Sequence, residues 1–574
     1  MSAQKSVAVT KKKPPAEKLG SLDRLSSFTF RAFRGPSTSL ARKMPGMRDA
    51  IMKSNLRLTP EALVSLAIFG TVIAAVAAAA VIVVGVLLHL LLLLVVAVAP
   101  PLVLIMALNS PKMSQSSRSY ALENELPFVM GFMQVLAGSG VSVISAMKKI
   151  SNLTNIFPAA SKEAKRILVD VEVFGMDPIS ALTTAAKTNP NKTFTEFLYG
   201  YTTILKTGGD VANYMFIKMR EMFDRKNAKM KRTADTIGTL AEAYVTVTSV
   251  LGISLFMLYE VQAVVSHNDA GLQSIFLFAF LIVPLISVVF LWLLDGLQSK
   301  QPFVDTRTFK VFAGSALAGV VIFFIPVPIK LFMHVGLSLI AMVLPPAILA
   351  IKYSREKASI EGSLPDFIRD VSEGRKIGLS PESSIEQLST KNYGLLSKPV
   401  TKMGSQLSWG LPLEKVVSSF VGQVHSWLAK VVGVLMLEVV DAGGGVVQSF
   451  SDLADFTRKI EDFETDMKAS LKPYVMVIYM AGLMLVVTTF LMVYLMTQPA
   501  LGSVSPGSPG SPTVSATTIE ELLVATIFES WVVGFVAGKM GTGTVSSGFV
   551  HACILVAMAV AAILVSGLFI HIPM

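Results

Sequence analysis

Side chains that could do chemistry are sparse in this chain, and the most conspicuous is a single carboxylate. Glu529 lies in the middle of an apolar run, 522–538. An unpaired charge there costs several kcal/mol or is neutralised. Such a residue serves as a proton or ion relay, or it locks helices together, protonated or hydrogen-bonded to Ser530. No second buried acid or base stands nearby, which favours the lock. Glu260, closer to the end of its own run, needs less explanation. The six histidines (His89, His267, His334, His425, His551 and His571) are scattered without metal-ligand spacing. The one cysteine, Cys553, sits in an apolar run and excludes a disulfide framework and cysteine-based zinc sites. Gly-x-Ser-x-Gly, His-Glu-x-x-His and the phosphate-cradling Gly-x-x-x-x-Gly-Lys-Ser/Thr are all missing. Gly443-Gly444-Gly445 lacks the Lys-Ser/Thr pair and reads as a helix cap and tight turn. The expectation is a protein with no catalytic residues, no cofactor and no metal.

The elements that carry these residues belong to a membrane protein. Of 574 residues, 52% are hydrophobic and only 16% are charged, too few charges for a soluble protein of this length. Uncharged apolar runs of bilayer-spanning length predict an all-α, polytopic chain. Nine spans are expected, at about 62–84, 86–107, 240–264, 271–294, 309–329, 331–351, 473–496, 517–538 and 547–570. The first run begins only near residue 62, after a basic leader, so no cleavable signal peptide is expected. In that leader Phe28, Phe30 and Phe33 stand among Arg31 and Arg34, which suits surface helices, either a membrane-surface anchor or an ordinary cytoplasmic segment.

The domain plan follows: a leader at 1–60, spans at 61–107, a polar helical domain at 108–239, spans at 240–351, a second polar helical domain at 352–472, and spans at 473–574. The last region contains a Ser/Pro/Gly-rich loop at 499–516. The two polar domains are a repeat. Leu126-Pro127 and Leu364-Pro365 stand equally far from Gly140 and Gly378, each of which opens a Gly-apolar-Ser turn. Phe174-Gly175-Met176 matches Trp409-Gly410-Leu411, and Thr207-Gly208-Gly209 matches Ala442-Gly443-Gly444. Leu364, Phe367, Ile368 and Val371 mark an amphipathic helix. Leu453, Phe456, Ile460, Phe463 and Met467 form a near-heptad stripe, expected to pack within its own domain.

Orientation comes from the basic residues. With the N-terminus inside, 49 of the 50 Lys and Arg fall on inside segments, and only Lys330 lies outside. Both repeats are then cytoplasmic and the C-terminus external. The net charge of +11 is explained by this bias, so no nucleic-acid partner is expected.

The ordered motifs resemble the type II secretion F-domain family, the inner-membrane platforms of type IV pili, type II secretion and archaella. They are Leu-Pro-Phe, then Gly138–Ser142, Gly175–Leu182 and Thr207–Asp210. In the second copy they are Gly378–Pro381, Gly410–Val416 and Asp441–Gly444. The acidic position of the last turn is met only by Asp441, so the copies differ there. Spans in the order two, domain, four, domain, three look like the archaeal branch, the archaellum assembly protein J and its archaeal pilus relatives. The resemblance implies helical-bundle domains and a platform that binds a hexameric cytoplasmic secretion ATPase. The platform would couple that ATPase to insertion of pilin- or archaellin-like subunits into a filament, with a homodimer as the expected assembly in the lipid bilayer. Candidate ATPase contacts are Lys148, Lys149, Arg369, Arg375 and Lys376, basic residues off the apolar faces that could steer an acidic partner or simply face water or anionic headgroups. The competing class is a polytopic transporter or channel with cytoplasmic regulatory domains and Glu529 in its pathway. Transporter repeats, however, usually lie within the spans.

Overall fold

The computed structural model describes residues 21–44, 46–54, 56, 58–87, 99–266, 278–298, 306–442, 447–497 and 516–569. Among them the chain is helical, without a strand. Seven helices are long and apolar enough to cross a membrane: Pro60–Ala80, Ala279–Leu297, Arg307–Phe324, Leu331–Lys376, Val447–Leu491, Ile519–Thr542 and Val545–Val565. These match seven of the expected runs. The other two, 86–107 and 240–264, overlap positions outside the described residues or side chains. Also outside are Gly443, Gly444, His89, His267, His571 and nearly all of the 499–516 loop.

The chain folds as two compact units, Met1–Leu126 with Met147–Val211, and Pro127–Ala146 with Ala212–Met574. In the first unit, the leader forms short helices, Ser21–Ala32, Arg34–Arg42 and Met47–Ser54. Thr29 is buried and its hydroxyl meets that of Ser65 on the first span at 3.2 Å, while Phe28 is exposed. Met47 and Ile51 pack on Leu63 and Val64. The leader helices therefore lie along the first span with part of their apolar face uncovered.

In the second unit, the Leu331–Lys376, Val447–Thr497, Ala516–Thr542 and Gly548–Phe569 helices share a core that includes Phe332, Val486, Ile527 and Val556. The Ala516–Thr542 helix is central: 72% of its spanning window is buried, against 39% or less in each other span. Glycines set how closely it meets its neighbour. A Cβ on Gly534 would lie 2.2 Å from the Ala552 Cα, and one on Gly538 would lie 2.3 Å from the Gly548 Cα. Gly534 and Gly538 are one Gly-x-x-x-Gly spacing, which lets membrane helices approach backbone to backbone.

Three helices join polar and apolar sequence in one element, Val211–Ser266 and Val447–Thr497 entering the apolar part at their C-terminal ends and Leu331–Lys376 leaving it, with 56, 51 and 46 residues respectively. At 1.5 Å per residue the first is about 84 Å long, far more than a bilayer needs. Their polar ends carry the bundles. Leu364, Phe367, Ile368 and Val371 are all buried, as are Leu453, Phe456, Ile460 and Phe463. The second stripe does not pack on its own repeat alone. Phe456 lies edge-on to Phe223, with ring centroids 6.4 Å apart, and sits against Gly131, where a Cβ would come within 2.1 Å of its ring. Both partners belong to the first repeat, and both lie in the second unit.

Candidate functional site

The repeat's glycines make the ends of its helices. Gly140 and Gly378 both have left-handed backbones, with φ +80° and +90°. Gly140 N–H donates to Ala137 O at 3.0 Å and Val141 N–H to Leu136 O at 3.0 Å. In the second copy Gly378 N–H donates to Arg375 O at 3.0 Å and Leu379 N–H to Gly374 O at 3.1 Å. This is a Schellman-type stop, in which left-handed backbone lets the last carbonyls be satisfied. The serine two residues on starts the next helix. Ser142 Oγ accepts from Ser145 N–H at 3.3 Å, and Ser380 Oγ from Ser383 N–H at 3.1 Å. The Gly-apolar-Ser spacing is thus one helix stop joined directly to one helix start.

Gly175 and Gly410 are a second left-handed pair, φ +65° and +77°. Here the copies differ in how the next helix begins. Asp177 accepts from Ile179 and Ser180 N–H at 3.1 and 3.2 Å, whereas Pro412 offers no side-chain cap. The residue before each glycine is aromatic and projects into solvent: Phe174 is 71% exposed and Trp409 81%. In the sequence these residues are motif markers only, since an aromatic beside a glycine has no periodicity to show which way it faces. Gly208 is also left-handed, φ +70°, and ends the Lys192–Thr207 helix; Gly209 follows it and donates to Ile204 O at 3.0 Å.

The five basic candidates divide by what they touch. Lys148 pairs with Glu172 at 2.9 Å on the exposed surface of the first unit, and Lys149 is half-buried beside it. Arg369, Arg375 and Lys376 lie on the last turns of the Leu331–Lys376 helix in the second unit. Arg369 is exposed. Lys376 pairs with Glu373 at 2.7 Å. Arg375 is half-buried and its guanidinium donates to the Leu379 carbonyl, so it braces the turn it precedes.

Each bundle also buries a carboxylate. In the first unit Glu163 takes Arg118 through both oxygens, at 2.8 and 2.6 Å, and accepts from Asn189 Nδ2 at 3.0 Å. This is the bidentate geometry in which guanidinium–carboxylate pairing is strongest. Beside it, burial foremost lowers the pKa of the half-buried Arg166, against the pull of Glu163. In the second unit Glu361 accepts from Ser426 Oγ at 2.7 Å, and Lys357 reaches it at 3.7 Å and Glu464 at 3.4 Å. Burial foremost raises the Glu361 pKa, with Glu464 adding to the rise and Lys357 opposing it. Asp370 gathers Lys391 Nζ at 2.5 Å and the Tyr393 hydroxyl at 2.6 Å. These clusters tie neighbouring elements of each bundle together.

Glu529 is 3% exposed on the central helix, and its Oε1 is buried without a hydrogen-bond partner among the described residues. The Ser530 hydroxyl donates to the Thr526 carbonyl at 2.8 Å, so the expected bond from Ser530 to Glu529 is not made. A serine in a helix interior reaches its own i−4 carbonyl more readily than the next side chain. Elsewhere in the spans, Lys539 pairs with Asp295 at 2.7 Å. Among the described residues no group of three or more His, Cys, Asp or Glu side chains is placed to hold a metal ion.

Two stretches, 131–259 and 367–494, match the family model described as "Type II secretion system (T2SS), protein F". The chain carries two type II secretion F domains. Each match starts on a helix leading to a Gly140- or Gly378-type turn and ends in an apolar helix, so the F domain takes in the helix that enters the membrane. A protein of Methanocaldococcus jannaschii described as uncharacterized is 22% identical over 433 residues, covering 68% of this chain and 72% of its own. The Flagella accessory protein J of the same organism is 22% identical over 405 residues, covering 66% of this chain and 71% of its own. No solved structure matches.

Proposed function

We propose that this multi-pass membrane protein is the platform of a type IV filament system of the archaellum or archaeal pilus kind. Both F domains and the N-terminus face the cytoplasm, and the C-terminus is external. The domains dock a hexameric secretion ATPase. The platform, as a homodimer, passes each ATPase cycle into the bilayer to move pilin- or archaellin-like subunits into the filament. The observation that carries this reading is the continuity of the Val211–Ser266, Leu331–Lys376 and Val447–Thr497 helices. A displacement at the bundle end of such a helix is passed to its membrane end along the same helix; Pro345, Pro346 and Pro365 lie inside Leu331–Lys376 and Pro473 inside Val447–Thr497, so the proline-free Val211–Ser266 helix is the stiffest of the three. The F-domain matches and the likeness to Flagella accessory protein J support the same class. The Lys539–Asp295 pair supports the order of the spans, because it joins two span ends that this topology places on one side of the membrane.

The ATPase would meet the surface that carries Arg369, Lys376 and Trp409 in the second copy, and in the first copy Phe174, which corresponds to Trp409, with Lys148 and Lys149 on the helix after the first turn. Arg375 belongs to the fold of its turn and is a poor test residue. The experiment uses full-length protein in detergent, the cognate hexameric ATPase, and measurement of affinity and ATP turnover. Saturable binding, weakened about tenfold or more by Arg369→Glu/Lys376→Glu or by Trp409→Ala, is expected from the loss of interface charges or an aromatic anchor. Absence of binding in every nucleotide state would overturn the platform reading. One observation favours a second reading, a transporter or channel: the buried Glu529 on the central helix, whose Oε1 has no hydrogen-bond partner among the described residues. Its test is substrate flux in liposomes and the loss of that flux in Glu529→Gln.

A further inference from the structure

The second unit holds a cleft of about 540 Å³ that the F-domain turns do not explain. Its walls come from the polar ends of the Val211–Ser266 and Val447–Thr497 helices, with Gln134 from the Ala99–Gly138 helix at its back. Five aspartates and three basic residues line it, leaving two acids in excess. An acidic surplus is common on protein surfaces and alone says little.

The inner wall says more. Gln134 is only 5% exposed, and its Oε1 is buried with no hydrogen-bond partner among the described residues. The Asp452 carboxylate lines the same cleft, and its Oδ1 accepts from Gln448 Nε2 at 2.9 Å. Asn227 Oδ1 lines the same cleft and, like Gln134 Oε1, is buried and unpartnered. Two amide carbonyls without donors, in a space with surplus carboxylates, call for a ligand that brings donors and positive charge. The aromatic walls accept such a group. The Lys459 ammonium already lies 5.8 Å from the centre of the Phe216 ring, on its face, a favourable placing of cation on π-system.

We propose that this cleft is a binding site for an ammonium or guanidinium group, held by the Gln134 and Asn227 carbonyls and the Asp452 carboxylate, with Asp462 at the mouth. The ligand is a free polyamine or a lysine or arginine side chain presented by a partner. The site spans the last helix of the first F domain and the last helix of the second, so an occupant bridges the two domains. It does not depend on the ATPase reading.

The test is a titration of the full-length protein in detergent, by calorimetry, with spermidine and separately with a short arginine-containing peptide amide. Glutarate, a dicarboxylate, is the control for sign. Saturable binding of either cation is expected, weakened about tenfold or more by Gln134→Met and by Asp452→Asn/Asp462→Asn, since each removes bonds to a charged group. Spermidine binding alone identifies a free amine as the ligand, and peptide binding alone identifies a presented side chain. Thermal unfolding of each variant checks that the fold survives. Asp462→Asn alone, at an exposed position, supplies a milder variant should Asp452 prove structural. Binding of glutarate in place of the cations, cation binding unchanged in the correctly folded variants, or no saturable binding of either cation would overturn the proposal.

Discussion

Single side chains set the most direct tests of how the bundles hold together. Glu163→Ala leaves the Arg118 guanidinium buried beside no carboxylate. Loss of one partner of a buried pair costs about 3–5 kcal/mol, to be read as a lowered unfolding temperature of the purified protein. Glu361 behaves differently because its pKa is raised in the folded state. Its protonated form is favoured by folding, so its contribution to stability is complete below the ordinary carboxylate value and is lost as pH rises through the raised one. From about pH 5 to about pH 8 the wild type should lose stability relative to Glu361→Gln. Parallel melting curves across that window would refute the assignment. Gly378→Ala is a backbone test, since nothing lies within 4 Å of the added Cβ and φ is +90°. The cost expected is roughly 1–2 kcal/mol from the left-handed conformation alone, again measured by thermal unfolding.

Helices and turns show where the amino-acid order was legible and where it was not. The paired turns could be found from the sequence because a left-handed position selects glycine and the residue two later must cap a helix; both demands are local. The buried stripes could be found because burial on one helix face imposes its period. Arg375 misled because an arginine near a helix end looks the same whether it faces a partner or folds back on its own Leu379. The Arg118–Glu163 pair was invisible because its members lie 45 residues apart and neither has a periodic signature. Composition likewise gave no warning that residues 127–146 of the first repeat pack in the unit that holds the second. Close helix contact in the membrane was written at Gly534 and Gly538, yet glycine in an apolar run is too common to single them out. Gly538→Leu should drive the Ala516–Thr542 and Gly548–Phe569 helices apart, with an overpacking cost of about 1–3 kcal/mol. Its measurable sign is a lowered detergent-unfolding midpoint with the bundle turns intact by hydrogen exchange.

For the whole molecule, the decisive property is that bundle and span share single helices. A flexible glycine-serine segment placed between the polar and apolar halves of the Val447–Thr497 helix is expected to leave ATPase binding in place while abolishing filament assembly. Retained assembly would exclude a mechanical role for that helix. Shared helices also carry angular phase. Each residue added turns everything beyond it by about 100° and advances it by about 1.5 Å. One alanine inserted near Arg232 of the Val211–Ser266 helix would therefore swing the membrane half to a different set of neighbours, while seven, close to two full turns, would nearly restore its facing. The length of chain between bundle and bilayer is thus quantised, and insertions and deletions there are constrained to steps of whole turns, unlike those in an ordinary interdomain linker.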